Sequence, residues 1–433
     1  MNKILQSLES YFAIASLVFF TRVLDFESFS KASEGTVENI AFEQTNAFAP
    51  YLSLIQHGIF LVVFGLLVLR SRDTIRTITK GKVIWILIGF VLLSFLWSNV
   101  PDLTFRGAFA FAESCAFGLY FASRYNIKEQ LRLVACALGI ATVISLLYAI
   151  ALPQHGIEAG IHAGAWRGPF VQKNIFARIL VLSCLSYACI ETKSLTQKFF
   201  IFVGLALSAG LIVMSDSKTA LVVLALLLLL YIVYRLLRFK DILAIPLILI
   251  SLLLSSAVGI AILNNAETIL NNIGKDLTLS GRTTIWAILV EQIKLRPWFG
   301  HGYMGFWSDR NAIALMTKAV GTNYVPPHSH NGYLELVTGF GFLGTLLFVI
   351  TFIALVRRAF ILILRDKSNE GFWPILFLSY LVFYDFSEPT LIEHNSIFWI
   401  IYLSLAVSRF VEFQLEPQFL ATKTITNKMS VDV

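Results

Sequence analysis

Charge is scarce in this chain. Asp, Glu, Lys and Arg make up 14% of its 433 residues, while 57% are hydrophobic and the mean hydropathy is +0.74. That balance excludes an ordinary soluble domain, which carries roughly 25% charged residues. Cysteine is nearly absent as well. Cys115, Cys136, Cys184 and Cys189 all fall inside apolar runs with no metal-ligand spacing, so they imply neither a disulfide framework nor a zinc site and read as small buried hydrophobes. No phosphate-cradling G-x-x-x-x-G-K-[ST] motif occurs, and no internal repeat of roughly 20 to 50 residues is evident. Lys3 precedes an apolar run in the manner of a signal peptide, but an acidic loop follows without a small-residue cleavage site, so the run reads as a retained first helix.

What is present is a series of long apolar blocks, the mark of an all-α, polytopic integral membrane protein. The blocks are Tyr11 to Leu24, Tyr51 to Leu69, Val83 to Trp97, Phe105 to Phe121, Leu131 to Leu152, Ile175 to Ile190, Phe199 to Met214, Ala220 to Leu237, Ile242 to Leu263, Tyr333 to Val356, Phe372 to Tyr384 and Ser396 to Phe410. They predict about twelve transmembrane helices, the first and eleventh being short for a span of roughly 20 residues. Residues 1–433 are thus expected to form a single membrane domain. Basic clusters occupy alternate loops: Arg70 to Lys82, Arg124 to Arg132, Lys193 to Lys198, Arg235 to Lys240 and Arg357 to Lys367. Positive-inside bias puts these loops and both termini in the cytoplasm. It puts the acidic segment Asp25 to Pro50 and a large loop over residues 264–332 outside. The net charge of +7 then follows from topology, and nucleic acid is not an expected partner.

That outer loop holds the polar chemistry. Thr283 to Leu295 has helical apolar spacing at Ile285, Ile288, Leu289 and Ile293, with Pro297 as a stop, and is too short and polar to span. It predicts an interfacial helix with Arg282 at its N-terminus, where helix amides favour an anion, and Trp298 as an anchor. The competing reading of Arg282 is an arginine that only meets lipid headgroups. Further on, His328-Ser329-His330-Asn331 stands just before a span. An H-x-H pair can bind zinc, but no third ligand accompanies it in sequence. His330 suits a general base, since a near-neutral imidazole accepts a hydroxyl proton. His328, after two prolines, reads as structural, and Glu335 is placed either to orient the imidazole or as a boundary carboxylate.

Other cations face the same side in this topology. They are Arg167 and Lys173 in Trp166 to Asn174, Lys218 in Ser215 to Thr219, and Arg296. Together they suit a polyanionic headgroup, with arginine preferred for bidentate phosphate contacts. Arg106 and Glu113 are charges inside the fourth block and are expected to form a buried polar pair, Arg106 lying near enough to the outer end to join the site.

The motifs S-G-R-x-x-I-W from Ser280, R-P-W-F-G-x-G from Arg296, H-S-H-N-G-Y-L-E-L from His328 and G-F-G-F-L-G from Gly339 resemble the O-antigen ligase and polysaccharide polymerase superfamily. W-R-G-x-F-x-x-K-N from Trp166 and the S-x-S-K-T turn resemble its upstream motifs, in a form similar to exopolysaccharide production proteins. The likeness runs from about Phe105 to Phe410.

The resemblance implies a GT-C-like, multi-pass glycosyltransferase of the bacterial inner membrane with its catalytic loop facing the periplasm. It would move a glycan from undecaprenyl pyrophosphate to an acceptor hydroxyl with inversion, without a metal or cofactor, and its partners would be the lipid-linked donor, the glycan acceptor and the bilayer. The sequence agrees that no D-x-D pair is present to hold a metal-nucleotide donor. By the same resemblance Arg282 and Arg167 bind pyrophosphate and His330 is the base. Lys218 stands where relatives often carry arginine, and Lys173, Arg296, His328, Asn331 and Glu335 complete the substrate-binding candidates. Polymerisation is favoured over ligation to a lipid A core, which stays open. A lipid-linked glycan transporter is the competing class, and it would need more charged or broken helices at the membrane midplane than Glu113 suggests.

Overall fold

The computed structural model describes residues 3–26, 48–159, 162–237, 282–320, 328–366 and 368–408. The block Ile242 to Leu263, most of the Asp25 to Pro50 segment, residues 264–281 and 321–327 of the large loop, and the tail beyond Phe410 lie outside the described residues. What is described is all-helical, with no strand beyond one isolated bridge between Ile157 and Trp166. The helices are α1 (Lys3–Phe20), α2 (Ala49–Leu69), α3 (Ser71–Ile78), α4 (Lys82–Leu93), α5 (Pro101–Arg124), α6 (Ile127–Ala151), α7 (Lys173–Cys189), α8 (Leu195–Met214), α9 (Lys218–Leu237), α10 (Arg282–Leu295), α11 (Arg310–Val320), α12 (Gly332–Arg365), α13 (Trp373–Tyr384) and α14 (Ile397–Val407).

The eleven apolar blocks that lie among the described residues are all helical, as lipid requires of backbone that cannot bond to water. Among the described residues five helices are long and apolar enough to cross a membrane, or six if α3 and the helix after it, bent by 92°, count as one span. Length and composition thus establish a multi-pass protein with fewer certain crossings than the twelve expected. The shortfall has a physical cause at the C-terminal end. α13 and α14 are ~18 Å and ~17 Å long at 1.5 Å per residue, well under a hydrocarbon core of about 30 Å, yet nearly all of their side chains are buried. A helix that is apolar on every side and wrapped by protein need not match lipid thickness. These two form the centre of the bundle, where Trp399 and Tyr402 stack on each other, Tyr402 stacks on Phe348, and Trp399 packs at a tilt against Phe111.

Polar contacts sort the loops into two ends. At one end Glu9 takes Arg70 and Arg124, Lys128 and Arg132 take Glu370, and Asn369 N donates to Glu191. All of these lie at the loops that carry the basic clusters. At the other end Arg296 donates to Trp97 O and Asn99, Asn99 donates to Asp309, and Trp166 N donates to Met214 O.

α12 is broken at Gly341, where φ is +62°. The loop from Pro297 to Gly302 is knitted into the break: His301 N and Gly302 N donate to Thr338 O and Gly339 O, both at 2.9 Å, while Phe342 N and Leu343 N donate to Pro297 O and Trp298 O. A Cβ on Gly341 would stand 2.4 Å from Trp298 C, so glycine is needed for space as well as for φ. The R-P-W-F-G-x-G and G-F-G-F-L-G motifs are thus two halves of one backbone junction.

Two expectations are corrected. Glu113 does not pair with Arg106, which is exposed; it accepts from Gln56 and from His57 Nδ1 at 2.7 Å, and Asn395 Nδ2 bonds Gln56 at 2.7 Å, clasping α2 to the bundle. Cys136 is exposed, unlike the other three cysteines, because it lies on the outward face of α6.

Candidate active site

Because α13 and α14 are short, the connection between them, residues 385–396, sits sunken in the bundle, and Asp385 and Glu388 are both 0% exposed. A buried carboxylate is costly unless donors surround it. Glu388 draws them from three further segments. His330 Nδ1 lies 3.2 and 3.3 Å from its two oxygens, Asn174 Nδ2 3.2 Å from Oε1, Arg282 Nη2 3.4 Å from Oε1, and His328 Nε2 3.6 Å from Oε2. Arg282 Nη1 also donates to Ser387 O at 3.3 Å. Burial raises the Glu388 pKa, but the His330 hydrogen bond, both imidazoles and the Arg282 guanidinium outweigh it and hold the group at about 2. Burial takes the His328 pKa down to about 3 despite Glu388, so His328 is neutral at physiological pH.

Each residue of the H-S-H-N-G segment has a task. Ser329 Oγ donates to Asn331 O at 2.6 Å and accepts from Asn331 N, while Ser329 N donates to Glu335 Oε2 and Trp286 Nε1 donates to Ser329 O. That lattice holds His330 at φ +52°, a conformation that side chains other than glycine rarely adopt. Asn331 caps α12, its Oδ1 accepting from Tyr333 N and Leu334 N at 3.0 Å. Gly332 N donates to Asp385 O at 2.7 Å, and a Cβ there would stand 1.8 Å from Asp385 Oδ1. Only glycine lets α12 start so close to the 385–396 connection. Asp385 in turn accepts from Thr390 N and Thr390 Oγ1, and burial raises its pKa to about 7 against those two bonds.

The N-terminus of α7 supplies Asn174. Its Oδ1 accepts from Ser217 Oγ at 3.0 Å, which turns the amide Nδ2 towards Glu388, and Ser387 Oγ donates to Thr219 Oγ1 at 3.3 Å. The S-D-S-K-T turn therefore orients Asn174 and Ser387, while Lys218 itself is exposed.

The remaining predicted residues are placed differently. Lys173 is buried, with Nζ on Asp216 O and Oδ2 at 3.2 and 3.3 Å. Arg167 donates from Nε to His155 O at 2.9 Å and from Nη1 to Val171 O at 3.1 Å, shaping its own loop. Arg296 serves the Trp97–Asn99 loop. Glu335 does not orient His330: it supports Ser329, and Glu388 is the partner of the imidazole. Arg282, His328 and His330 are thus brought together, and sequence reasoning missed Glu388 and Asn174. A signal existed, since Asp385, Glu388 and Glu393 crowd one short connection of an otherwise apolar region, and Asn174 ends a quoted motif.

The structure also supplies the third ligand that the H-x-H pair lacked, with ligand atoms of His328, His330 and Glu388 within 4.8 Å of one another. Hydrogen bonding does not fit a metal there. His328 Nδ1 accepts from His330 N at 3.2 Å, so the neutral ring carries its proton on Nε2, the atom a metal would need bare. Arg282 and Asn174 already donate to Glu388 Oε1. The cluster is a carboxylate ringed by donors.

Fold and site define a multi-pass, all-helical membrane protein with a buried His–Glu–Arg cluster at one end. The O-antigen ligase family model matches residues 203–349, a range that includes Arg282 and His330 but neither Asn174 nor Glu388. The chain is also 26% identical over 354 residues to the exopolysaccharide production protein ExoQ of Rhizobium meliloti (strain 1021), covering 79% of this chain and 69% of that protein. Both matches support the O-antigen ligase and polysaccharide polymerase superfamily, to which the sequence motifs pointed.

Proposed function

We propose that this protein transfers a glycan from undecaprenyl pyrophosphate to a sugar hydroxyl at the periplasmic face of the bacterial inner membrane, polymerising exopolysaccharide or O-antigen repeat units. One observation carries the reading: Glu388 gathers His330, Arg282 and Asn174 from separate segments at the end of the bundle away from the basic loops. A carboxylate facing Nδ1 of His330 fixes the proton on Nδ1 and leaves the Nε2 lone pair for substrate, the tautomer a general base requires.

The acceptor oxygen attacks the anomeric carbon from the side opposite the pyrophosphate. As the new C–O bond forms, the bond to pyrophosphate breaks with its electron pair, and the hydroxyl proton passes to His330 Nε2, so the configuration inverts. Glu388 stabilises the imidazolium, and Arg282, held by contacts of 3.3 and 3.4 Å at the N-terminus of α10, turns to the departing pyrophosphate. Arg167, with Nη2 outside its two carbonyl bonds, and Lys218 are the further cations the resemblance implies. His328, Asn331 and Glu335 shape the base, and no metal or cofactor enters the step. Lys173 and Arg296 are engaged within the chain and support acceptor binding less. In the full topology the shorter helices complete about twelve spans, with both termini cytoplasmic.

The polymerase branch draws support from the likeness of Trp166 to Asn174 and of the H-S-H-N segment to exopolysaccharide production proteins, and from the match to ExoQ. Ligation uses the same base and pyrophosphate site with another acceptor. Sizing the glycans of a deletion strain tests the choice. A polymerase leaves single repeat units. Long chains stranded on undecaprenyl pyrophosphate would refute polymerisation in favour of ligation, and unchanged surface polysaccharide would refute both.

A further inference from the structure

Arg178 has no part in the chemistry above, yet it is one of the most deeply placed charges near the site, with its side chain 6% exposed. It lies one helical turn beyond Asn174 on α7, on the same face. Asn174 reaches Glu388, and Arg178 reaches the residues after it: Nη1 donates to Pro389 O at 2.7 Å, and Nη2 lies 3.5 Å from Glu393 Oε1. Its guanidinium carbon also stands 5.3 Å from the ring centroid of Phe398, at the start of α14. Arg22, just past α1, meets the same Glu393 oxygen at 3.7 Å. One side chain thus grips the 385–396 connection at two points and covers the start of the helix that follows.

As a stability device this is poor. Arg178 Nε, Glu393 Oε2 and Tyr384 OH are buried with no hydrogen-bond partner, and replacing such a buried ion pair by packed apolar side chains is often neutral or stabilising. What the guanidinium supplies is direction. Its planar fork meets two acceptors at fixed angles, and an ammonium cannot copy that geometry. Because Pro389 directly follows Glu388, the 2.7 Å bond limits how far the Glu388 carboxylate can rise from His330.

We propose that Arg178 is a positioning residue for the transfer reaction: by holding Pro389 and Glu393 together it sets the depth and register at which Glu388 meets His330. The proposal rests on the transfer reading, in which the Glu388–His330 pair performs the base step.

The test is steady-state kinetics of the full-length protein in lipid nanodiscs with a lipid-linked glycan donor, rates being expressed per correctly assembled enzyme. Arg178→Met should lower kcat by roughly 100-fold, the cost of a misplacement of about 1 Å, with the KM for donor unchanged. Arg178→Lys, which keeps the charge but reaches one acceptor at a time, should fall between Met and wild type. A wild-type kcat in Arg178→Met overturns the proposal. So does a raised KM at unchanged kcat, which would make Arg178 a donor-binding group, and so does a loss confined to the assembled fraction, which would make it purely structural. Should Arg178→Met fail to assemble, Arg178→Lys decides alone, and a wild-type kcat there overturns the proposal. His330→Ala runs in parallel. If it is inactive while Arg178→Met is normal, only the positioning role falls; if it is active, the base assignment to His330 on which the proposal rests has failed.

Discussion

Changing Glu388 to Gln keeps the shape of the side chain and removes its charge, which isolates what the carboxylate does. On the proposed mechanism its bond to His330 becomes an imidazolium–carboxylate pair in the reacting enzyme. Hydrogen bonds to charged groups contribute about 1.5–3 kcal/mol against about 1 kcal/mol for neutral ones, so the charge-assisted part is about 0.5–2 kcal/mol. The amide adds a second cost. One of its ends must present NH2, and every approach to Glu388 is occupied by donors: His330, Asn174 and Arg282 at Oε1, His330 and His328 at Oε2. A donor facing a donor in a buried site costs about 1–3 kcal/mol. Together these come to about 1.5–5 kcal/mol. At 1.36 kcal/mol per decade that is a kcat loss of roughly 10- to 5,000-fold, overlapping the span for losing a general base. The assay is glycan transfer by purified protein from a lipid-linked donor, with product length read on a gel. A Glu388→Gln enzyme with wild-type kcat would refute the reasoning.

Arg282→Ala and His330→Ala should each abolish transfer while the protein still inserts, His328→Ala should be milder, and EDTA should leave the wild type active; near-normal transfer by His330→Ala removes the base assignment. Acid should destabilise the fold through two groups whose folded pKa values are depressed, His328 from 6.5 to about 3 and Glu388 from 4.5 to about 2. The unfolded chain binds more protons across those windows, so their contribution is present above about 6.5 and is lost as pH falls towards 2. Asp385, raised from 3.8 to about 7, has the opposite sign, so Asp385→Asn should raise the thermal midpoint above pH 7 and steepen its fall below; a variant whose midpoint tracks wild type at every pH contradicts this. Gly341→Ala places a Cβ 2.4 Å from Trp298 C at positive φ and should cost roughly 1–3 kcal/mol or more, read as lost folded yield. A cysteine at Asp309 should react with an impermeant reagent from outside the inner membrane, and labelling only after permeabilisation reverses the topology.

Much of the helical framework was legible because lipid leaves backbone so few choices: eleven apolar blocks could be little else. Arg282 and His330 were legible too, as polar residues stranded in an apolar sequence. Glu388 was not, because its contact with His330 bridges separate segments and depends on where the 385–396 connection sits. Hydropathy shows that α13 and α14 are short, but not that their shortness lowers the connection into the bundle. Arg296 was read as a ligand because it is a cation on the outer side, whereas its guanidinium is engaged by the Trp97–Asn99 loop. Lys173 was read as a free cation because Asp216 is far away in sequence.

The break in α12 separates two mechanical duties. Taken whole, Gly332–Arg365 is 34 residues, ~51 Å if straight, which no bilayer of about 30 Å would cover. Beyond the junction at Gly341 the helix packs on α14, where Thr351 Oγ1 lies 2.7 Å from Tyr402 OH and Arg358 donates to Ala406 O. Before the junction it is fastened to protein at both ends, to Asp385 at Gly332 and to the Pro297–Gly302 loop at the break. The junction at Gly341 thus sets two separately anchored pieces end to end, and the piece that begins beside His330 is held by contacts of its own. The glycine is a keystone: the two pieces meet there in a joint closed by protein backbone rather than by lipid.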